Sequence, residues 1–138
     1  MNIFEEKKIK VADAVLALDL DGTLTNSKKQ VTENTKKSID KFIDAGGTVV
    51  LASGRPTFGV MPVAKILELD KKGGYILSYN GGCFLDCKNN EQLFMKELTH
   101  EYLPILEKQA NEFGINLMTY NGDKAYALDI DEQYYMLE

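Results

Sequence analysis

The sequence predicts an α/β chain in which a parallel sheet with flanking helices is followed by a smaller α+β segment. Three observations carry this. Ala14-Val15-Leu16-Ala17-Leu18, Thr48-Val49-Val50-Leu51-Ala52 and Tyr75-Ile76-Leu77-Ser78-Tyr79 are short uncharged runs with the composition of buried strands. Two stretches of helical period separate them, and strand, helix, strand, helix, strand is the order produced by right-handed crossovers in a parallel sheet. Each run also ends in a polar or glycine-rich group: Asp19 to Thr23, Ser53 to Arg55, and Asn80 to Gly82.

The first run reads as a strand buried on both faces, broken by Asp21-Gly22-Thr23. A helix is expected from Thr32 or Glu33, with Thr35, Ile39, Phe42 and Ile43 on one apolar stripe and Gly46-Gly47 ending it. A second helix is expected over Val60 to Leu69, with Val63, Ile66, Leu67 and Leu69 inward. Beyond residue 82 the pattern changes. Cys83-Phe84-Leu85 and Gln92-Leu93-Phe94-Met95 read as an antiparallel hairpin, Leu98 to Phe113 as an amphipathic helix, and Ile115 to Tyr120 with Lys124 to Ile130 as two strands about Asn121-Gly122. Residues 131–138 could begin a further helix. The boundaries expected are residues 1–82 for the α/β part, 83–91 for the hairpin or linker, and 92–138 for the α+β part.

A chain of 138 residues can bury a core without staples. Cys83 and Cys87 with one histidine, His100, are too few soft ligands for structural zinc, and they suit a reducing, cytoplasmic setting. His100 reads as a surface or helix-start residue. Neither a secretory leader nor an apolar run of membrane-spanning length is visible, so no membrane partner is expected. Sixteen Lys and Arg against 21 Asp and Glu give a formal charge of −5, without a basic stripe. That argues against a nucleic-acid partner and not against phosphate, which a metal ion and backbone N–H groups can hold locally.

In open α/β sheets ligands sit beyond the C-terminal strand ends. At the first of these ends Asp19 and Asp21 stand at i and i+2, so the backbone itself sets their spacing. Such a pair can bind Mg²⁺, which prefers oxygen ligands and retains waters. A plain Asp-Gly turn is the alternative. Ser53, Gly54 and Arg55 offer a hydroxyl, a permissive glycine and a guanidinium, a set that ordinary loops also contain.

Asp19-Leu20-Asp21-Gly22-Thr23-Leu24 resembles the Asp-x-Asp-Gly-Thr-Leu motif of the haloacid dehalogenase (HAD) superfamily of phosphatases. Ser53-Gly54-Arg55 resembles the second motif of its Cof-like group, and Asn80-Gly81-Gly82 the segment after that group's third core strand. The resemblance covers residues 13–138 and implies a partial Rossmann-like core followed by the start of a large α+β cap of the C2 type. It implies a Mg²⁺-dependent phosphatase of small phosphorylated metabolites such as sugar phosphates. By the same resemblance Asp19 is the nucleophile and a metal ligand, and Asp21 the acid/base, binding the metal through its backbone carbonyl. Ser53 and Gly54 hold the phosphoryl group, with substrate or structural roles for Thr23, Arg55 and Asn80.

Complete members of the group run to about twice this length and carry a further lysine and an Asp-rich segment. Asn121-Gly122-Asp123-Lys124 does not match that segment. An inactive phosphate-binding or interaction module is therefore the rival expectation. A half-core is also expected to expose Val15, Val49, Leu51 and Ile76, and so to self-associate or bind the missing half. Phe94, Tyr102, Phe113, Tyr120, Tyr126, Tyr134 and Tyr135 read as core of the α+β part or as substrate-facing surface.

Overall fold

The computed structural model describes residues 10–127. The expected final helix over 131–138, the end of the last strand, and Tyr134 and Tyr135 lie outside the described residues. The chain divides into two compact units, Met1–Lys96 and Glu97–Glu138.

The first unit is a five-stranded sheet flanked by helices. Its elements are β1 (Val15–Asp19), α1 (Glu33–Asp44), β2 (Thr48–Ala52), α2 (Thr57–Ile66), the short α3 (Leu69–Lys72), β3 (Tyr75–Ser78), β4 (Cys83–Asp86) and β5 (Glu91–Met95). The strands lie side by side in chain order; β1, β2 and β3 are parallel, and β4 and β5 continue the sheet antiparallel. The hairpin expected after residue 82 is therefore part of the same sheet. Ser78 pairs with Cys83 across a three-residue 3₁₀ turn, Tyr79–Gly81, which is too short to leave the sheet.

Helix α1 forms as its sequence predicts. Thr32 caps it, its hydroxyl accepting the Thr35 N–H at 3.2 Å. At the other end Gly46 has φ +92, and the Gly46 and Gly47 N–H groups reach Ile43 and Phe42 carbonyls at 2.8 and 3.0 Å, a Schellman closure. Helix α2 departs from expectation. It starts at Thr57 and ends at Ile66, because Glu68 takes a left-handed φ of +56 and re-aims the chain into α3. Leu67 and Leu69 are buried as predicted, but Ile66 is 49% exposed.

One face of the sheet carries the core. Register aligns Leu16 with Val49 and Leu18 with Leu51, and Leu51 with Ile76 and then Leu85. Leu18, Val49, Leu51, Ile76 and Leu85 cluster with Ile39 of α1 and Val60, Val63 and Ala64 of α2. Each such aliphatic burial contributes about 1.5–3 kcal/mol relative to exposure. The expectation that Val49, Leu51 and Ile76 would be uncovered is overturned, since α1 and α2 pack over that face; of the four, only Val15 is exposed, at 66%. Nor is β1 buried on both faces. It is the sheet edge, and Val15, Ala17 and Asp19 alternate outward. Cys83 and Cys87 are free thiols, both buried in this unit.

The second unit contains a 3₁₀ turn at His100–Tyr102, α4 (Leu103–Phe113), and an antiparallel ribbon of β6 (Met118–Asn121) and β7 (Lys124–Ala127). Asn121 pairs with Lys124, so the reversal is Gly122-Asp123, with the positive φ (+62) at Gly122. Phe94 in β5, and Tyr102, Phe113 and Tyr126 here, are exposed rather than packed as core. No helix among the described residues is long and apolar enough to cross a membrane.

Candidate active site

Parallel register brings the three strand ends together. Asp19 pairs with Ala52 and Ala52 with Leu77, so Asp19, Ser53 and the Tyr79–Gly81 turn leave the sheet at one level.

At the first tip the side chains alternate. Leu20 is fully buried while Asp19 and Asp21 point outward. Gly22 adopts φ +79 and turns the chain back, so that the Leu24 N–H bonds the Asp19 carbonyl at 3.1 Å and the Thr25 N–H bonds Leu20 at 2.9 Å. Buried Thr25 adds a hydroxyl bond to the same Leu20 carbonyl at 2.8 Å. The two carboxylates are thus held by a closed loop rooted in the core. Thr23 is exposed at its tip.

At the second tip the Ser53 N–H bonds the Leu77 carbonyl at 2.9 Å, and Ser53 Oγ accepts the Arg55 N–H at 3.1 Å. With its oxygen already accepting, the hydroxyl keeps its proton to donate to an anion. The third tip braces this loop. Tyr79, Asn80 and Gly81 all have positive φ (+52, +53 and +94), and the Tyr79 and Asn80 N–H groups bond the Arg55 and Ser53 carbonyls at 3.0 and 3.2 Å. A tyrosine in that region costs about 1 kcal/mol or more, which the bracing bonds offset. A Cβ on Gly54 would meet Asn80 Oδ1 at 3.0 Å, so a larger residue there would push the Asn80 side chain aside by a few tenths of an ångström.

Asp21 joins the first tip to the second. Arg55 forks onto it, Nε to Oδ2 at 2.9 Å and Nη2 to Oδ1 at 2.7 Å, and Lys29 Nζ reaches Oδ1 at 2.7 Å. The Lys29 ammonium, followed by the Arg55 guanidinium, holds the Asp21 carboxyl below its ordinary value. Ser53, Gly54, Arg55, Asn80 and Asp21 are therefore one bonded constellation, with Asp19 exposed beside it. Lys29 and Thr25 were not legible as site residues: Lys29 lies in a polar turn with no periodic signal, and Thr25 reads as one more turn residue.

The Asp19 carboxylate and the Asp21 carbonyl, two positions apart at this tip, are hard oxygens that would hold a metal here. That chemistry fits Mg²⁺ with its waters retained. Among the described residues no group of three or more His, Cys, Asp or Glu side chains gathers into a metal cluster.

A haloacid dehalogenase-like hydrolase from Bacteroides thetaiotaomicron matches this structure with a TM-score of 0.80 and 35% identity, over 90% of this chain and 47% of that one. A Streptococcus pyogenes serotype M6 protein designated a phosphatase is 28% identical over 103 residues, 75% of this chain and 38% of that protein. A 5-amino-6-(5-phospho-D-ribitylamino)uracil phosphatase of Bacillus subtilis is 34% identical over 71 residues, 51% of this chain and 23% of that protein. The chain thus spans less than half the length of each. The sequence profile of the haloacid dehalogenase-like hydrolases runs through all three strand tips, matching residues 16–138, and the chain belongs to that family.

Proposed function

We propose that the protein is a Mg²⁺-dependent phosphomonoester hydrolase of the Cof-like group, acting on small phosphorylated metabolites, sugar phosphates foremost, through an aspartyl-phosphate. The observation that carries this reading is the alignment of the Asp19-x-Asp21, Ser53-Gly54-Arg55 and Asn80-Gly81 tips, with Arg55 bridging the first two.

Asp19, at the strand end, attacks phosphorus, and the ester oxygen leaves with a proton from Asp21. Water then attacks the aspartyl-phosphate while Asp21 takes a proton back. Lys29 and Arg55 hold the Asp21 carboxyl below its ordinary value, which favours its proton-accepting role in the second step. The Ser53 hydroxyl and the Gly54 N–H hold the transferring phosphoryl group. Mg²⁺, bound by the Asp19 carboxylate and the Asp21 carbonyl, would screen the negative charge that keeps a carboxylate away from a phosphate. We assign the second unit to the start of a C2-type cap, the part that selects the leaving group in such enzymes. The ribitylaminouracil phosphatase acts on a phosphate ester of a sugar-alcohol chain, which supports the substrate class.

The test is release of inorganic phosphate from a panel of sugar phosphates by the complete encoded protein, with Mg²⁺ and with chelator. Asp19→Asn is expected to lower turnover by at least about a thousandfold. Retained turnover in that variant overturns the nucleophile assignment. Phosphate binding by the wild type without turnover supports an inactive binding module instead.

A further inference from the structure

We propose that Lys29 is a positioning residue for Asp21, fixing together with Arg55 the placement of the carboxylate that moves the proton. This rests on the hydrolase reading above. Nothing in the family motifs points to position 29; two independent features of the fold do.

The first is the contact. The Asp21 carboxylate sits on a one-carbon stem just before Gly22, at an exposed loop tip, and is free to pivot unless held. The Arg55 fork sets its plane from the loop after β2, occupying both oxygens at 2.9 and 2.7 Å. Lys29 approaches Oδ1 at 2.7 Å from a different segment. Two anchors on separate pieces of chain oppose rotation and displacement in a way that neither does alone.

The second is the backbone that delivers Lys29. Residues 26–30 form a compact loop: the Asn26 N–H bonds the Gln30 carbonyl at 3.0 Å, the Lys29 N–H bonds the Asn26 carbonyl at 2.9 Å, and Asn26 Oδ1 accepts the Lys28 and Gln30 N–H groups at 2.9 and 3.1 Å. Within it Lys29 takes φ +59. Glycine occupies that conformation freely and asparagine readily, whereas lysine is disfavoured there. An exposed ion pair alone is a weak reason to keep a lysine in such a position. Placement of the acid/base is a stronger one, because small displacements of a proton-transfer group are costly in rate.

Lys29→Gly separates the two readings, since it relieves the backbone while removing the ammonium. In the complete encoded protein with Mg²⁺ and a sugar phosphate, kcat is expected to fall about 10- to 100-fold while KM moves less than about threefold. The thermal midpoint is expected not to fall. Lys29→Arg restores most of kcat, and Lys28→Met, at an exposed neighbour, leaves it unchanged. In an Asp21→Asn background Lys29→Gly has no further effect. Without metal or substrate, the Lys29 ¹⁵Nζ resonance shifts on Asp21→Asn. Wild-type kcat in Lys29→Gly, or an equal loss in both backgrounds, overturns the proposal. Retained turnover in Asp19→Asn instead overturns the hydrolase reading on which it rests.

Discussion

Leu51, Leu67, Leu69 and Ile76 of the first unit have no exposed surface, whereas in the second unit Phe113 is 74% and Ile115 62% exposed, and Ala110 alone is buried among the described residues. Yet both units carry helices of clear apolar periodicity. Periodicity states which face a helix would bury; burial also needs a counterpart. The first unit supplies one, because short crossovers return α1 and α2 onto the same face of the sheet. The described part of the second is one helix and a two-stranded ribbon, and a ribbon of that kind is marginal by itself.

The largest difference between the units should appear on truncation. Leu51→Ala removes a side chain from the middle of β2, against both the neighbouring strands and the helices, and should cost about 2–5 kcal/mol. Phe113→Ala should change stability by no more than about 0.5 kcal/mol, as expected of an exposed residue. Urea titration followed by circular dichroism measures both. Equal losses would show that the second unit contributes to the same cooperative core.

Helix ends offer a finer comparison. α1 has a side-chain cap at Thr32, while α4 is entered through the His100–Tyr102 turn with no side-chain cap bond. Thr32→Ala should cost about 1 kcal/mol. A loss near zero would show that the α1 terminus is held by packing instead, as an uncapped helix must be.

The parts that were legible are those in which local chemistry and tertiary position agree. The three strand runs, the Thr32 cap and the Gly46-Gly47 stop each follow from a few neighbouring residues. So does the convergence of Asp19, Ser53 and Asn80, since parallel strands end side by side. What failed depended on one dihedral angle or one distant partner. The left-handed Glu68 splits the expected second helix, and no apolar period announces it. The hairpin after residue 82 looked like a departure because its composition changes, yet its backbone still pairs with β3. Lys29 was hidden because its contact with the site is a salt bridge to a residue in another turn, made through a backbone conformation that lysine does not ordinarily adopt.

Charge divides the units last and least. In the second, Lys108 and Glu112 form an exposed i,i+4 pair at 3.8 Å with the lysine N-terminal, the weaker orientation; Glu112→Gln should change stability by at most about 0.5 kcal/mol. Asp21 accepts three charged bonds, and its folded pKa lies below the ordinary value of 3.8. A depressed carboxyl contributes stability above its unfolded pKa and loses it as pH falls through the folded one. With the Asp21 side chain 40% exposed, solvent screening limits the contribution to about 1 kcal/mol or less. The stability difference between wild type and Asp21→Asn should therefore be present at about pH 6 and shrink below about pH 4. A difference independent of pH would mean that the three bonds hold the neutral side chain as well as the charged one, and that the clamp on Asp21 is steric rather than electrostatic.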